Sequence, residues 1–202
     1  MIPATCILFF LAFSLGPLTY PALIQAKETW FSSEVRVSED NLATLTADLM
    51  LAAPPETVYA VLSDYPNWPD LFAQRPRIHS IERLSNQVRV DMTLRVSFLP
   101  IGLELVTDTR EIPTSVLKTM LVQGDFEQYD WVWTFRPLQN AEHTKASVVV
   151  HVQPSIWIPH WLMEWVVTSG FTDHFHKLRE AVEIRYREQG RTPTISAPPN
   201  SP

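Results

Sequence analysis

Leu51-Ala-Ala-Pro-Pro-Glu-Thr-Val-Tyr-Ala-Val-Leu-Ser-Asp-Tyr-Pro-Asn-Trp-Pro-Asp-Leu-Phe72 is the stretch at which the chain changes its period. Just before it, LATLTADLML alternates, with Ala43, Leu45, Ala47, Leu49 and Leu51 on one face, which predicts a strand. Past Pro54 the apolar spacing becomes helical. Proline is tolerated in a first turn because the N–H it lacks has no partner there, so Pro54 and Pro55 suit a helix start. Glu56 falls in that turn, and Val58, Val61 and Leu62 make the buried stripe. Asp64 then stands where a side-chain N-cap belongs, ahead of a second short turn preset by Pro66 and Pro69.

Outward from this stretch the pattern is mostly strand. QVRVDMTLRVSF sends Val88, Val90, Met92, Leu94, Val96 and Phe98 one way and Arg89, Asp91, Thr93 and Arg95 the other. One buried and one wet face describe an antiparallel sheet covered on a single side. LPIG turns into Leu103–Glu111, IPTS into Val116–Val122, and QGD into FEQYDWVWTFRP, where Tyr129, Trp131, Trp133 and Phe135 share a face. Lys145–Gln153 closes the series. From Pro159 to about Arg187, the residues Trp161, Trp165, Thr168, Phe171, Phe175, Leu178 and Val182 recur at helical spacing and predict one buried face. Gly170 in mid-helix costs ~1 kcal/mol against alanine, which asks for a close approach or a bend there. The order predicts an α+β domain: a curved antiparallel sheet wrapped around a long C-terminal helix, with two short helices after the first strand.

The termini read differently. The first 26 of the 202 residues carry no charged residue and no histidine, and CILFFLAFSLGPL has the length of a secretory apolar segment. LIQA before Lys27 supplies a small-residue cleavage site; the alternative is a membrane anchor over the same residues. The expected organisation is 1–26 signal peptide or anchor, 27–34 linker, 35–188 folded domain and 189–202 a proline-rich disordered tail. The only cysteine, Cys6, lies in the first segment, so a chain starting at Lys27 has no thiol for a disulfide, a nucleophile or a metal. A net charge of −6 without a basic stripe argues against nucleic acid. Seven Trp and ten Phe are enough to fill a core or to line an apolar cavity.

Three stretches carry a resemblance. LAAPPETVYAVLSDYPNWPDLF resembles the segment after the first strand in the START-like helix-grip superfamily, in particular its polyketide cyclase/dehydrase and coenzyme Q-binding branch. GDFEQYDWVWTFRP is similar to that family's late strand with paired aromatics, and PSIWIPHWLMEWVV to its entry into the terminal helix. The resemblance spans about Leu42–Val182. It implies a deep apolar cavity between sheet and C-terminal helix for a lipid, isoprenoid, polyketide or similar ligand, with the short helices at the open end. It does not fix the activity, because one fold hosts many functions.

On that frame Trp68 either lines the cavity mouth or packs. Met92, Leu94, Tyr129, Trp131 and Trp133 of the sheet would face Trp161, Trp165, Phe171 and Phe175 of the helix as cavity wall. The competing reading is that these rings fill the core. Tyr129 is the inward polar handle, with Thr107, Thr109 and Glu111 as company. The inward positions are otherwise apolar, with no serine elbow, cysteine or phosphate loop, so no catalytic residue is assigned and binding is favoured over catalysis. His174 and His176 are two apart on a helix and diverge, His160 is fourteen residues from His174, and His151 lies on the wet face; no metal site and no cofactor are expected. The expected function is binding or carriage of a hydrophobic small molecule or lipid outside the cytoplasm, by a monomer. SIWIPHWLMEW also has the composition for a transient contact with a bilayer interface, but its tryptophans read better as the start of the buried helical stripe, which continues to Val182. The alternatives are a polyketide cyclase or dehydrase using the same cavity, and an interaction module with a filled core.

Overall fold

The computed structural model describes residues 30–96, 102–138 and 141–190. The expectations for residues 1–26, for the 97–101 turn with Phe98, and for the tail beyond 190 lie outside the described residues. Eight strands form one sheet: β1 (Phe31–Val37), β2 (Ala43–Leu51), β3 (Arg77–Leu84), β4 (Gln87–Arg95), β5 (Gly102–Ile112), β6 (Val116–Gly124), β7 (Phe126–Leu138) and β8 (His143–Pro154). Their order is β1-β2-β8-β7-β6-β5-β4-β3, every pairing antiparallel. β3 to β8 therefore meander, and β8 returns to lie beside β2. Between β2 and β3 run α1 (Pro55–Leu62), a 3-10 turn (Tyr65–Asn67) and α2 (Trp68–Leu71); α3 (His160–Glu188) follows β8.

Alternation dictates the core. β2 buries Ala43, Leu45, Ala47, Leu49 and Leu51, and β8 opposes them with Ala146, Val148 and Val150 in register. Side chains from paired strands form rows across the inner face. Thr109, Thr119, Trp131, Val150 and Leu45 make one row; Glu111, Leu117, Trp133, Val148 and Ala47 make the next. Register shifts leave an extra residue on β3, β6 and β7 and mark bulges, the usual means by which a sheet bends. Beside the β6 bulge Gly124 has φ +143°, and a Cβ there would lie 2.2 Å from the Glu104 carbonyl oxygen, so glycine is required.

The structure corrects the expected bounds. β1 begins at Phe31, so residues 31–34 belong to the sheet and not to a linker, and β3 is a full strand. These are the sheet's two edges. Most of their side chains are exposed, so neither shows the alternation of a half-buried strand.

α3 is also rotated relative to expectation. Its buried residues are Met163, Val167, Gly170, His174, Phe175, Leu178, Val182 and Tyr186, whereas Trp161 and Trp165 are exposed. At 100° per residue the two indoles sit about half a turn from Met163 and Val167. The stripe through Phe171 and Phe175 extends back through Met163 and Val167 at the same spacing as through the tryptophans, and the aliphatic path is the one the sheet covers. At Gly170 the expected close approach is present: a Cβ would meet the Gln74 amide nitrogen at 2.5 Å. Asp64 does not cap the turn with its side chain. Its carboxylate accepts from Asn67 at 2.9 Å and pairs with Arg185 of α3 at 3.4 Å, pinning the turn to the helix.

Candidate functional site

A cavity of about 100 Å³ lies between the sheet and the first half of α3. Its floor is Trp68 of α2 with Phe72 beyond it. One wall is Met92, Leu94 and Val96 with Leu103 of β5; another is Phe126, Tyr129 and Trp131 of β7 with Val152 and Pro154 of β8. α3 closes it with Met163, Val166, Val167, Gly170 and Phe171. Apart from the indole nitrogens, Gln74 and Tyr129 bring the polar side-chain atoms to this lining. A void of this size accommodates a ring or a length of alkyl chain.

Trp68 is 3% exposed, and its indole N–H donates to the Leu62 carbonyl at 2.9 Å. That bond satisfies an orphan carbonyl at the end of α1 and fixes the ring as a partition. The ring meets Trp131 edge-on at 5.6 Å, and both line a second, smaller void of about 10 Å³, room for roughly one water. Trp68 thus both packs and lines the cavity.

Tyr129 lines the cavity, and its hydroxyl has no hydrogen-bond partner among the described residues. Burial pushes its phenol well above the ordinary range, so at neutral pH it is a proton-bearing donor, not a base. Of the company expected for it, Glu111 is elsewhere. Glu111 falls in the row of Trp133, two rows from Tyr129 and ~13 Å along the strands. There it accepts from Tyr65 at 2.7 Å and Tyr59 at 3.2 Å and lies 3.5 Å from Arg83. Burial, then the Glu111 charge, raises the Tyr59 phenol; burial, then the hydrogen bond to Glu111, raises that of Tyr65. Thr109 and Thr119 share a buried hydrogen bond of 2.7 Å, and the Thr107 hydroxyl is buried without a partner.

Of the ten side chains expected in the wall, Trp68, Met92, Leu94, Tyr129, Trp131 and Phe171 line the cavity. Trp133 and Phe175 are buried in the core, their rings 6.3 Å apart, and Trp161 and Trp165 face solvent. Sequence reasoning missed Phe72, Gln74 and Met163, and it missed His174. That imidazole is fully buried and stacked on Phe72 at 4.2 Å and 2°. Its Nδ1 lies 2.8 Å from the Leu71 carbonyl oxygen, which can only accept, so Nδ1 carries the hydrogen and Nε2 is a buried bare acceptor. Burial holds the pKa down to about 4, against the upward pull of the Leu71 bond. His174 is therefore a neutral latch between the end of α2 and α3.

No titratable pair faces the cavity among the described residues. On the outer face of the sheet, His79, Asp91 and Glu104 bring ligand-type atoms within 4.8 Å of one another. They come from three neighbouring strands, which spacing along one helix does not reveal. His79 and Glu104 are exposed and Asp91 is half-buried, and His79 Nε2 is held by Thr93 Oγ1 at 2.6 Å.

A family model described as polyketide cyclase/dehydrase and lipid transport matches residues 51–176. No curated protein matches the chain in sequence. Among solved structures, the STAR-related lipid transfer protein of Xanthomonas axonopodis superposes with a TM-score of 0.61 at 16% identity, over 77% of this chain and 95% of that one. Human STARD10 gives 0.61 at 16% identity, over 81% and 73%. The Zhui aromatase/cyclase of Streptomyces sp. R1128 gives 0.58 at 13% identity, over 75% and 97%. At these identities the likeness is one of fold. Together with a family match over more than half its length, the helix-grip architecture makes this chain a member of the START-like polyketide cyclase/dehydrase and lipid transport family.

Proposed function

We propose that the protein binds and carries one hydrophobic small molecule or lipid per chain in the cavity beneath α3, outside the cytoplasm. The observation that carries this reading is the lining. Apolar side chains surround a void of about 100 Å³, with a phenol free to donate from β7 and one amide at Gln74. Water gains few hydrogen bonds in such a space, and an apolar ligand loses hydration on entering it. A solved relative in fold named as a STAR-related lipid transfer protein is consistent with this reading. Its location rests on the uncharged first 26 residues, read as an export signal or an anchor.

The test is titration with an apolar dye whose emission rises on leaving water. Saturation at one dye per chain, with displacement by long-chain fatty acid or isoprenoid, is the expected result. Flat emission at all dye concentrations contradicts it. Tyr129 favours a second reading, a cyclase or dehydrase in which the phenol hydrogen-bonds a substrate carbonyl. That reading predicts turnover of a polyketide-like substrate that Tyr129→Phe abolishes while binding persists.

A further inference from the structure

Four of the eleven large apolar side chains that stand exposed among the described residues fall within ten positions: Ile156, Trp157, Trp161 and Trp165. The other seven are scattered over five strands and the far end of α3. Trp157, Trp161 and Trp165 are 74%, 71% and 60% exposed. On α3, Trp161 and Trp165 are one turn apart and share a face. The opposite face of the same turns, through Met163 and Val167, is cavity wall. The first half of α3 is thus two-sided, with a ligand space behind it and indoles in front.

The chemistry of this ridge selects its partner. An indole joins a broad apolar ring to one N–H donor, and it is favoured where hydrocarbon meets headgroup. Between 156 and 165 the titratable residues are His160 and Glu164, and the chain carries a net charge of −6, so attraction to anionic lipid does not drive the contact. The N-terminal side of the domain agrees with a bilayer. The Trp30 ring packs on His176 at 5.3 Å, and His176 lies within about 20° of Trp165 around the helix, eleven residues on. Residue 30, onto which the uncharged sequence 1–26 leads, therefore sits on the ridge side of α3.

We propose that Trp157, Trp161 and Trp165 dock the first half of α3 onto the interface of a neutral phospholipid bilayer, holding the cavity about one helix width, ~10 Å, from the headgroups. The docking stands on the exposed indoles. Only its use, passing an apolar ligand between cavity and bilayer, rests on the function proposed above.

The experiment compares the full chain with its Trp157→Ser/Trp161→Ser/Trp165→Ser variant on phosphatidylcholine vesicles whose acyl chains are plain or brominated. Bromine quenches an indole that reaches the acyl region. The wild type is expected to shift its emission to the blue and to be quenched by brominated vesicles equally in low and high salt, with both effects lost in the variant. Dye uptake into the cavity is expected to be equal in both proteins, because these three rings lie outside its lining. Equal quenching of both proteins, or none in the wild type, overturns the docking, even where residues 1–26 hold the chain on the vesicles. An unquenched wild type that sediments as a dimer, with a monomeric variant, assigns the ridge to a second copy and overturns it too. Quenching without dye uptake in either protein keeps the docking and removes the carrier function.

Discussion

His174 makes the stability of this protein depend on pH in a narrow window. The unfolded chain titrates this histidine at its ordinary 6.5, and the native state holds it down to about 4. Between those values the unfolded state takes up a proton that the native state refuses, so acidification favours unfolding. The stability is fully present above pH 6.5, is lost as pH falls through the window, and changes no further below about 4. At 1.36 kcal/mol per pKa unit, a depression of about 2.5 units amounts to roughly 3 kcal/mol, a large share of a typical domain's stability. The cause is geometric: Nδ1–H is committed to the Leu71 carbonyl, and a proton on Nε2 would have no acceptor in a fully buried site. The assay is urea unfolding of the wild type and His174→Gln at pH 7 and pH 4. Carboxylates titrate alike in both proteins, so the difference of the two pH effects isolates the imidazole. The wild type should lose about 3 kcal/mol more than the variant over this interval. Equal losses in the two proteins, or an NMR titration placing His174 near 6.5 in the native state, would refute the argument.

Three other predictions follow from the geometry. Val152→Trp sends an indole into the cavity, so dye and lipid uptake should fall at least tenfold while urea stability changes by less than about 1 kcal/mol; a filled core would instead lose ~1–3 kcal/mol to overpacking. Glu111→Leu removes the acceptor of the buried Tyr65 hydroxyl and should cost about 1–3 kcal/mol in thermal unfolding, with ligand uptake unchanged because the site lies two rows away. Tyr129→Phe should weaken binding of a carbonyl-bearing ligand about fivefold by calorimetry, and leave a pure hydrocarbon ligand unaffected, because one neutral hydrogen bond contributes about 1 kcal/mol.

Wherever one face of an element is buried and the other wet, its place in the fold was readable from the chain. β2 and β4 show this best, with every second residue apolar and, except for half-buried Leu94, buried. β1 and β3 were not readable, because an edge strand with most side chains in solvent has no pattern to read. In α3 the difficulty was surplus signal. Met163 and Val167 offer one stripe and Trp161 and Trp165 another, and a preference for aromatics chose the face that is in solvent. The site divides the same way. Strand positions Met92, Leu94, Tyr129 and Trp131 were legible from alternation, and Phe171 from the helical stripe. His174 was not, since its partner Leu71 lies 103 residues away in the chain. Neither was Glu111's separation from Tyr129, which depends on strand register. Of the stretch Leu51–Phe72, Asp64 is a tie to Arg185 and Trp68 a partition in the cavity floor.

The central claim is that the cavity holds an apolar ligand. Native mass spectrometry of the full chain, purified without added lipid and then exposed to a total lipid extract, tests it most directly. A single added mass per chain is expected, released on collisional activation as an apolar molecule and absent from Val152→Trp. The bare chain mass alone, before and after exposure, would contradict it.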